Sequence, residues 1–412
     1  TCALPIFTTL ICVVFISLCS ANESVRILQL SDIHYNPAFN PNYPKNWCQS
    51  PDLKPASDKR YKYGMIGCNP PIELIDATFS HMKANGPYDY IALNGDVCSH
   101  ELNDALFKEC MVIMKEKIHQ YFGNTPVVFT MGNNDTPNPY NITCSDYYFS
   151  FLYETFSEYI PKTEIDTFKH YASYKTTIGG QTFISINTNL LDTLHTDDCG
   201  MLEWFHDALE SSKQNSEHPI VLGHIPPGVA SFNLKNHFNN NLQQILFSLL
   251  REYKPTINSM LLGHVHRDEF RLLPSDDPIV MYVGIGLSPV YTNNPGYRVI
   301  KTTINRKEGF VDATHYTFDL DKSNTQAKPV WLPSYTFSEA YGVSEITVSS
   351  LKKLSDDIFN DITLSSLYRW RTVGMYDSNA LQIKCAITSR SNQEMLKCTG
   401  VESQDQCHGL NL

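Results

Sequence analysis

Charge is scarce in this chain of 412 residues, and positive charge is scarcer still. Charged side chains make up 18%, against 42% hydrophobic and 12% aromatic. That balance excludes a disordered, collagen-like or coiled-coil protein and describes a globular one. Lys and Arg number 32 against 43 Asp and Glu, a formal net charge of −11. Without a Lys/Arg excess there is little counterion release to drive binding to a phosphate backbone. Nucleic acid is therefore not the expected partner, whereas a small phosphate-bearing substrate held by local groups stays open. Internal repeats are absent. Long apolar runs are missing too, except at the start. Residues 1–22 carry no charge, Leu10–Leu18 is apolar, and Cys19-Ser20-Ala21 offers small residues for cleavage. This reads as a secretory signal peptide over residues 1–21. The competing reading is a membrane anchor, for which Thr8, Thr9, Ser17 and Ser20 make the segment marginal. No membrane insertion is expected after cleavage, and oligomeric state is left open.

What is present agrees with export to a secreted or acidic, lysosome-like compartment. Of twelve cysteines, Cys2, Cys12 and Cys19 fall in the leader. The nine that remain favour disulfides, and the odd number leaves at least one thiol over. Pairing of Cys98, Cys110, Cys144, Cys199 and Cys407 is undecided at this stage, Cys98 reading equally as a buried thiol or a paired one. Sequons stand at Asn22, Asn134 and Asn141, of which Asn141, in a polar loop, is the expected glycan site.

Short β-branched runs at Val25–Leu30, Tyr90–Leu93, Val127–Thr130, Phe183–Asn187, Pro219–Leu222, Met260–Leu262 and Ile279–Val283 predict strands. Helical apolar spacing marks Ile72–Lys83, Leu102–Phe122, Met201–Ser212 and Asn241–Tyr253. Alternation of this kind predicts an α/β core with helices outside the sheets. The pattern breaks at the polar stretch Asp319–Pro333, after which Ser344–Trp370 reads as helical. The expected division is a catalytic domain over 25–320 and a small helical subdomain over 335–412. Asn36–Arg60 is a long Pro-rich loop, of the kind that is usually functional or stapled.

Five polar motifs each follow a strand: Asp32-Ile-His34, Gly95-Asp96 with His100 beyond, Gly132-Asn133-Asn134-Asp135, Gly223-His224, and Gly263-His264-Val265-His266. One such motif is usually a capped loop with a satisfied histidine. Five in order differ, because strand carboxyl ends in an α/β sheet converge on one crevice. They supply Asp32, His34, Asp96, Asn133, His224, His264 and His266, with no thiolate. An N/O set suits zinc, iron or manganese rather than calcium, and seven donors suit two cations, most simply two zinc ions. Two cations about 3.5–4 Å apart, sharing a carboxylate and a hydroxide, are the arrangement for in-line attack on phosphorus.

The series DIH, GD, GNN, GH and GHVH resembles the calcineurin-like metallophosphoesterase superfamily. That resemblance implies a two-sheet sandwich flanked by helices. It assigns Asp32, His34, Asp96 and His266 to one cation, Asp96, Asn133, His224 and His264 to the other, and makes Asp96 the bridge. GHVHRDEF, SPVYTNNPGYR, ISINTNLL and the tail YDSNALQIKCAITSRSNQEMLKC are similar to the acid sphingomyelinase-like phosphodiesterases. This narrower likeness implies Cys48–Cys68 and Cys385–Cys398 disulfides and gives His100 the role of assisting the leaving group.

Two departures shape the expected substrate. Asn134 stands where the family has a histidine, and an amide has no proton to give. That favours good leaving groups, and the GNND form also resembles the endopolyphosphatases. Asp32 follows closely on the expected cleavage point, which leaves no room for a saposin-like lipid-handling domain between them. A secreted phosphodiesterase or phosphohydrolase of nucleotide-like substrates is the expectation. Sphingomyelin, polyphosphate and a non-catalytic metal-stabilised binding protein are the alternatives. Asp268 is a candidate to orient His264 or His266, and Tyr291, Asn293 and Arg298 are candidates to flank the substrate.

Overall fold

The computed structural model describes residues 24–44, 46–50, 52–375 and 380–400. The expected signal peptide, the Asn22 sequon and Cys407 lie outside the described residues.

The β-branched runs form strands where the sequence places them. β1 (Ser24–Leu30) pairs in parallel with β2 (Tyr90–Leu93), and β2 with β3 (Val127–Phe129). A second sheet contains β4 (Tyr174–Ile178), β5 (Gln181–Ser185), β6 (Ile220–Leu222), β7 (Ser259–Leu262), β8 (Glu269–Leu273) and β9 (Ile279–Val283), in the order β4-β5-β6-β7-β9-β8. The chain then returns to the first sheet through β10 (Gly296–Thr303), β11 (Asp312–Thr317) and β12 (Tyr335–Thr336), completing β12-β11-β10-β1-β2-β3. Strands β5, β6, β7 and β9 are parallel and wholly buried, as strands covered on both faces must be.

The two sheets pack face to face around one apolar cluster. The Tyr90 ring of the first meets Phe183 of the second edge to face, Ser185 Oγ donates to the Phe129 carbonyl, and the Arg298 guanidinium lies over the Tyr282 ring. Polar side chains stitch the layers where the strands end. Gln29 Nε2 donates to the Leu262 carbonyl, and Asn94 Nδ2 donates to those of Gly223 and Leu261. Helices Ile72–Ala84, Asp104–Phe122, Met201–Gln214 and Asn240–Glu252 cover the outside, each burying one apolar stripe.

Beyond the sandwich, helices Val348–Asn360 and Ile362–Val373 turn Leu351, Leu354, Ile358 and Tyr368 into the same cluster. Helices Ala380–Ala386 and Asn392–Thr399 instead share a small separate core with Val229 and Leu234. Disulfides join Cys48 to Cys68, Cys98 to Cys110, Cys144 to Cys199 and Cys385 to Cys398. Cys98 is thus paired, and the Asn36–Arg60 loop is stapled at Cys48. Among the described residues, no helix is long and apolar enough to cross a membrane.

Candidate metal centre

The polar motifs meet because the loops leaving β1 and β2 stay zipped together. Asp32 N donates to the Gly95 carbonyl at 3.1 Å and His34 N to that of Asp96 at 3.0 Å. Gly132 enters from β3 so close to Gly95 that a Cβ on Gly95 would stand 2.3 Å from the Gly132 nitrogen. Only glycine permits that approach. Asp135 ties the three loops together, its carboxylate accepting from the backbone nitrogens of Asp96, Val97 and Gly132 at 2.7–2.9 Å. The backbone is bent hard at the donors themselves. Asp32, His34, Asp96, His264 and His266 have φ of 48° to 74°, a left-handed conformation costing a non-glycine residue about 1–2 kcal/mol each. Such strain persists only where the surroundings over-determine it.

All seven donors are brought together. His34 Nε2 lies 3.3 Å from Asp96 Oδ2 and 3.1 Å from His266 Nε2, which is itself 3.5 Å from Asp32 Oδ1. On the other side His224 Nε2 lies 3.4 Å from Asp96 Oδ2 and 3.0 Å from Asn133 Oδ1, and His264 Nδ1 lies 2.9 Å from the same amide oxygen. Asp96 Oδ2 is therefore within reach of both halves. Asp32 also reaches both, grouping with His34 and His266 and with Asp96 and His224.

The outer hydrogen bonds decide what fits between these atoms. His34 Nδ1 faces the Cys98 carbonyl, His266 Nδ1 that of Ser288 and His224 Nδ1 that of Asn94. A carbonyl only accepts, so each imidazole carries a proton on Nδ1, and His34 and His266 turn a lone pair inward. Two lone pairs then confront each other 3.1 Å apart, between His34 and His266. Burial holds both rings unprotonated, His34 well below its usual range and His266 down to about 3. Only a cation between them relieves that contact. Around the second group, burial drives the Asp32 carboxyl up to about 7. Burial also opposes charge on His224, but the Asp96 and Asp32 carboxylates outweigh it and raise that imidazole to about 9. Protons there take up charge that divalent cations would balance. The donor set fits two such cations.

A family profile, calcineurin-like phosphoesterase, matches residues 25–268, the stretch that holds every donor. The chain belongs to that family. It is a metal-dependent phosphoric ester hydrolase. The phosphoesterase is 27% identical to Sphingomyelinase phosphodiesterase D of Dictyostelium discoideum, covering 96% of this chain and 98% of that one. It is 25% identical to human Acid sphingomyelinase-like phosphodiesterase 3b over 89% of this chain and 86% of that one. Identity to the rat Cyclic GMP-AMP phosphodiesterase SMPDL3A is 26%, over 72% of each chain.

A cleft of about 470 Å³ opens on the centre of the phosphoesterase, and Asp96, His100, Asn133, Asn134, His264 and His266 line its floor. Asn134 holds both oxygens of Asp96, from its backbone nitrogen at 2.7 Å and its amide at 2.8 Å. Buried as it is, its sequon is closed to a glycan in the folded chain, while Asn141 is exposed. His100 stacks between His34 and Trp47, at 4.3 Å and 4.2 Å between ring centres. Its Nδ1 faces Asn69 Oδ1 at 3.1 Å and its Nε2 faces the Tyr291 hydroxyl at 3.2 Å. Burial pushes this imidazole down to about 4.

Three other expectations are corrected or narrowed. Asp268 does not orient a donor histidine. It is bound by Arg298 at 2.8 Å and by His315, inside the protein. Asn293 and Arg298 serve structure as well, Asn293 holding the carbonyls of Gly286, Ser288 and Asn294, and Arg298 reaching Gln29 and Asp268. Of the three flanking candidates, Tyr291 alone faces the cleft. Sequence reasoning missed Asp135, although it closes the GNND motif, and also missed the side chains of the far wall. Tyr140, Asp192, Phe232, Lys235 and His237 lie in segments with no motif to mark them.

Proposed function

We propose that this chain is a dinuclear-metal phosphodiesterase that hydrolyses nucleotide-like phosphodiesters or phosphoanhydrides ahead of sphingomyelin. The paired lone pairs of His34 and His266, with Asp96 shared between two histidine groups, carry the reading. One cation would rest on Asp32, His34, Asp96 and His266, and the other on Asp96, Asn133, His224 and His264. Bound there, divalent cations such as zinc supply Lewis-acid charge to a phosphate and a lowered pKa to water. The protein's own groups then orient the substrate. Asn134 fixes the Asp96 carboxylate, and Trp47, Asn69 and His34 fix His100. The leaving oxygen would meet the His100–Tyr291 pair, in which His100 Nδ1 donates to Asn69 Oδ1 and the Tyr291 hydroxyl donates to His100 Nε2.

Lys235 and Arg267 on the far wall favour a substrate with more negative charge than a choline ester carries. The names of the relatives support both a nucleotide diester and sphingomyelin as substrate classes, so the second reading is a sphingomyelin phosphodiesterase. A polyphosphate substrate and a non-catalytic binding role stand further back. Four disulfides support work in a secreted or lysosome-like compartment, with a glycan at Asn141. The proposed division is a catalytic unit over 25–320 and a helical subdomain over 335–412.

The test is turnover of bis-p-nitrophenyl phosphate, ATP, a cyclic dinucleotide, polyphosphate and sphingomyelin with Zn²⁺ or Mn²⁺, before and after chelation. Chelator-sensitive hydrolysis of the nucleotides above sphingomyelin is expected. No chelator-sensitive turnover of any of them would overturn the reading.

A further inference from the structure

Buried histidine nitrogens in this protein are engaged almost everywhere they can be traced. Both nitrogens of His100 and His315 have hydrogen-bond partners. His237 is the exception. It is 7% exposed, lines the cleft, and its Nε2 has no hydrogen-bond partner among the described residues. A buried polar atom left so is destabilising until something fills the vacancy. Looseness of the backbone does not explain it. His237 N donates to the Gly228 carbonyl, Gly228 N donates to Gln243 Oε1 at 2.7 Å, and the neighbouring Asn236 accepts from Asn392 N.

Position gives the vacancy a meaning. The His237 ring stands edge to face against His264, 5.2 Å between centres, and His264 stands in the same way against His224 at 5.3 Å. On the opposite side of the centre, His100 lies against His34 and His266. Two imidazoles outside the donor set thus flank the two halves of the site. His100 is held by Asn69 and Tyr291, while His237 is held by shape alone.

We propose that His237 is a substrate-contacting residue, its Nε2 making a hydrogen bond to an oxygen of the phosphodiester on the side away from His100. This deepens the proposed function and rests on it. The free Nε2 position makes a single directional hydrogen bond. Phe232, 40% exposed and 6.4 Å from the His237 ring, adds an apolar surface for the organic group beside that bond.

The experiment uses the full chain loaded with Mn²⁺ or Zn²⁺ and bis-p-nitrophenyl phosphate as substrate. His237→Phe keeps the ring shape and removes both nitrogens. It is expected to lower kcat/KM about tenfold or more with metal content unchanged, and His237→Gln, whose amide can replace the bond, recovers part of the loss. Wild-type kinetics in His237→Phe would overturn the proposal. Should that variant fail to fold, the wild-type protein with ¹⁵N-labelled histidine decides. Saturating inorganic phosphate moves the His237 Nε2 resonance if the proposal holds and leaves it unmoved if it does not. Wild-type protein without chelator-sensitive turnover is a failure of the functional reading instead, and the phosphate titration still reports on His237 separately.

Discussion

The donor residues were legible singly, since each follows an apolar run that could only be a strand and each is a side chain with metal-binding chemistry. Their supports were not. Tyr291 sits in a loop that reads equally as a turn, and nothing in the sequence says that its hydroxyl will meet His100 from 191 positions away. Asn134 is the informative departure. It grips Asp96 through its backbone and its amide, so it does the structural part of a histidine's work and leaves the acid part undone. Asn134→His should therefore raise turnover of diesters with alkoxide leaving groups roughly tenfold, the low end for a general acid. It should leave bis-p-nitrophenyl phosphate within about a factor of three, because p-nitrophenolate departs without help. If wild type is inert and the variant alone turns over both, the chain is a binding protein and not a hydrolase. Asp192 gives a second residue-scale expectation. Burial beside the cleft pushes its carboxyl up to about 6. Between about pH 4 and pH 6 the folded chain thus holds a proton that the unfolded chain has lost, and stability falls as pH rises through that window. Asp192→Asn removes this slope. Thermal melts of the chelated protein should show the variant about 1 kcal/mol more stable at pH 7.5, a figure discounted for partial exposure, and equal to wild type only below about pH 4.

Elements were read well where burial is apolar and poorly where it is polar. β1, β2, β3, β5, β6, β7 and β9 each hold an apolar stretch and fell where expected. β8 was missed because Glu269 and Arg271, charged in any sequence reading, are buried there, paired with each other at 3.4 Å and bound to Ser231 and Pro227. β11 carries Asp312, His315 and three threonine or tyrosine positions, and β4 is a polar edge strand. With β10 and the two-residue β12 also unmarked, half of the first sheet stayed hidden. The C-terminal helices hid a different fact, namely their tie to the cleft. Asn392 reaches Asn236 Oδ1 and the Leu234 carbonyl, Gln243 links Gly228 to Arg390, and Val229 and Leu234 pack on Cys385 and Met395. The far wall of the site therefore stands on a disulfide-closed helix pair. Replacing Cys385 and Cys398 by serine opens a 13-residue loop, a constraint worth about 3 kcal/mol in the chain-entropy account. Local loosening should raise KM several-fold while bound metal per chain stays constant. Loss of metal in step with activity would show that the helix pair supports the donors and not the wall.

At the scale of the whole molecule, stability and function are linked through stored strain. Five donor residues sit at positive φ, His34 and His266 oppose lone pairs, and two carboxylates share a buried space with His224. The sandwich over-determines this arrangement through Gly95 against Gly132, the Asp135 cradle and the zipped β1 and β2 loops. Such a site is costly when empty and stabilising when filled, since cations bind the folded chain and not the unfolded one. At a free cation concentration a hundred times Kd the gain is about 3 kcal/mol, and chelation should lower Tm by about 3–5 °C for a domain of this size. The shift should be reversed by Zn²⁺ or Mn²⁺, fade in acid as the donors protonate, and be largely absent in Asp96→Asn, which removes the carboxylate both halves share. The same melt in that variant also separates a site effect from chelator acting elsewhere. A wild-type Tm that ignores chelator would mean that the strained loops are held by the fold for some purpose other than two metal ions.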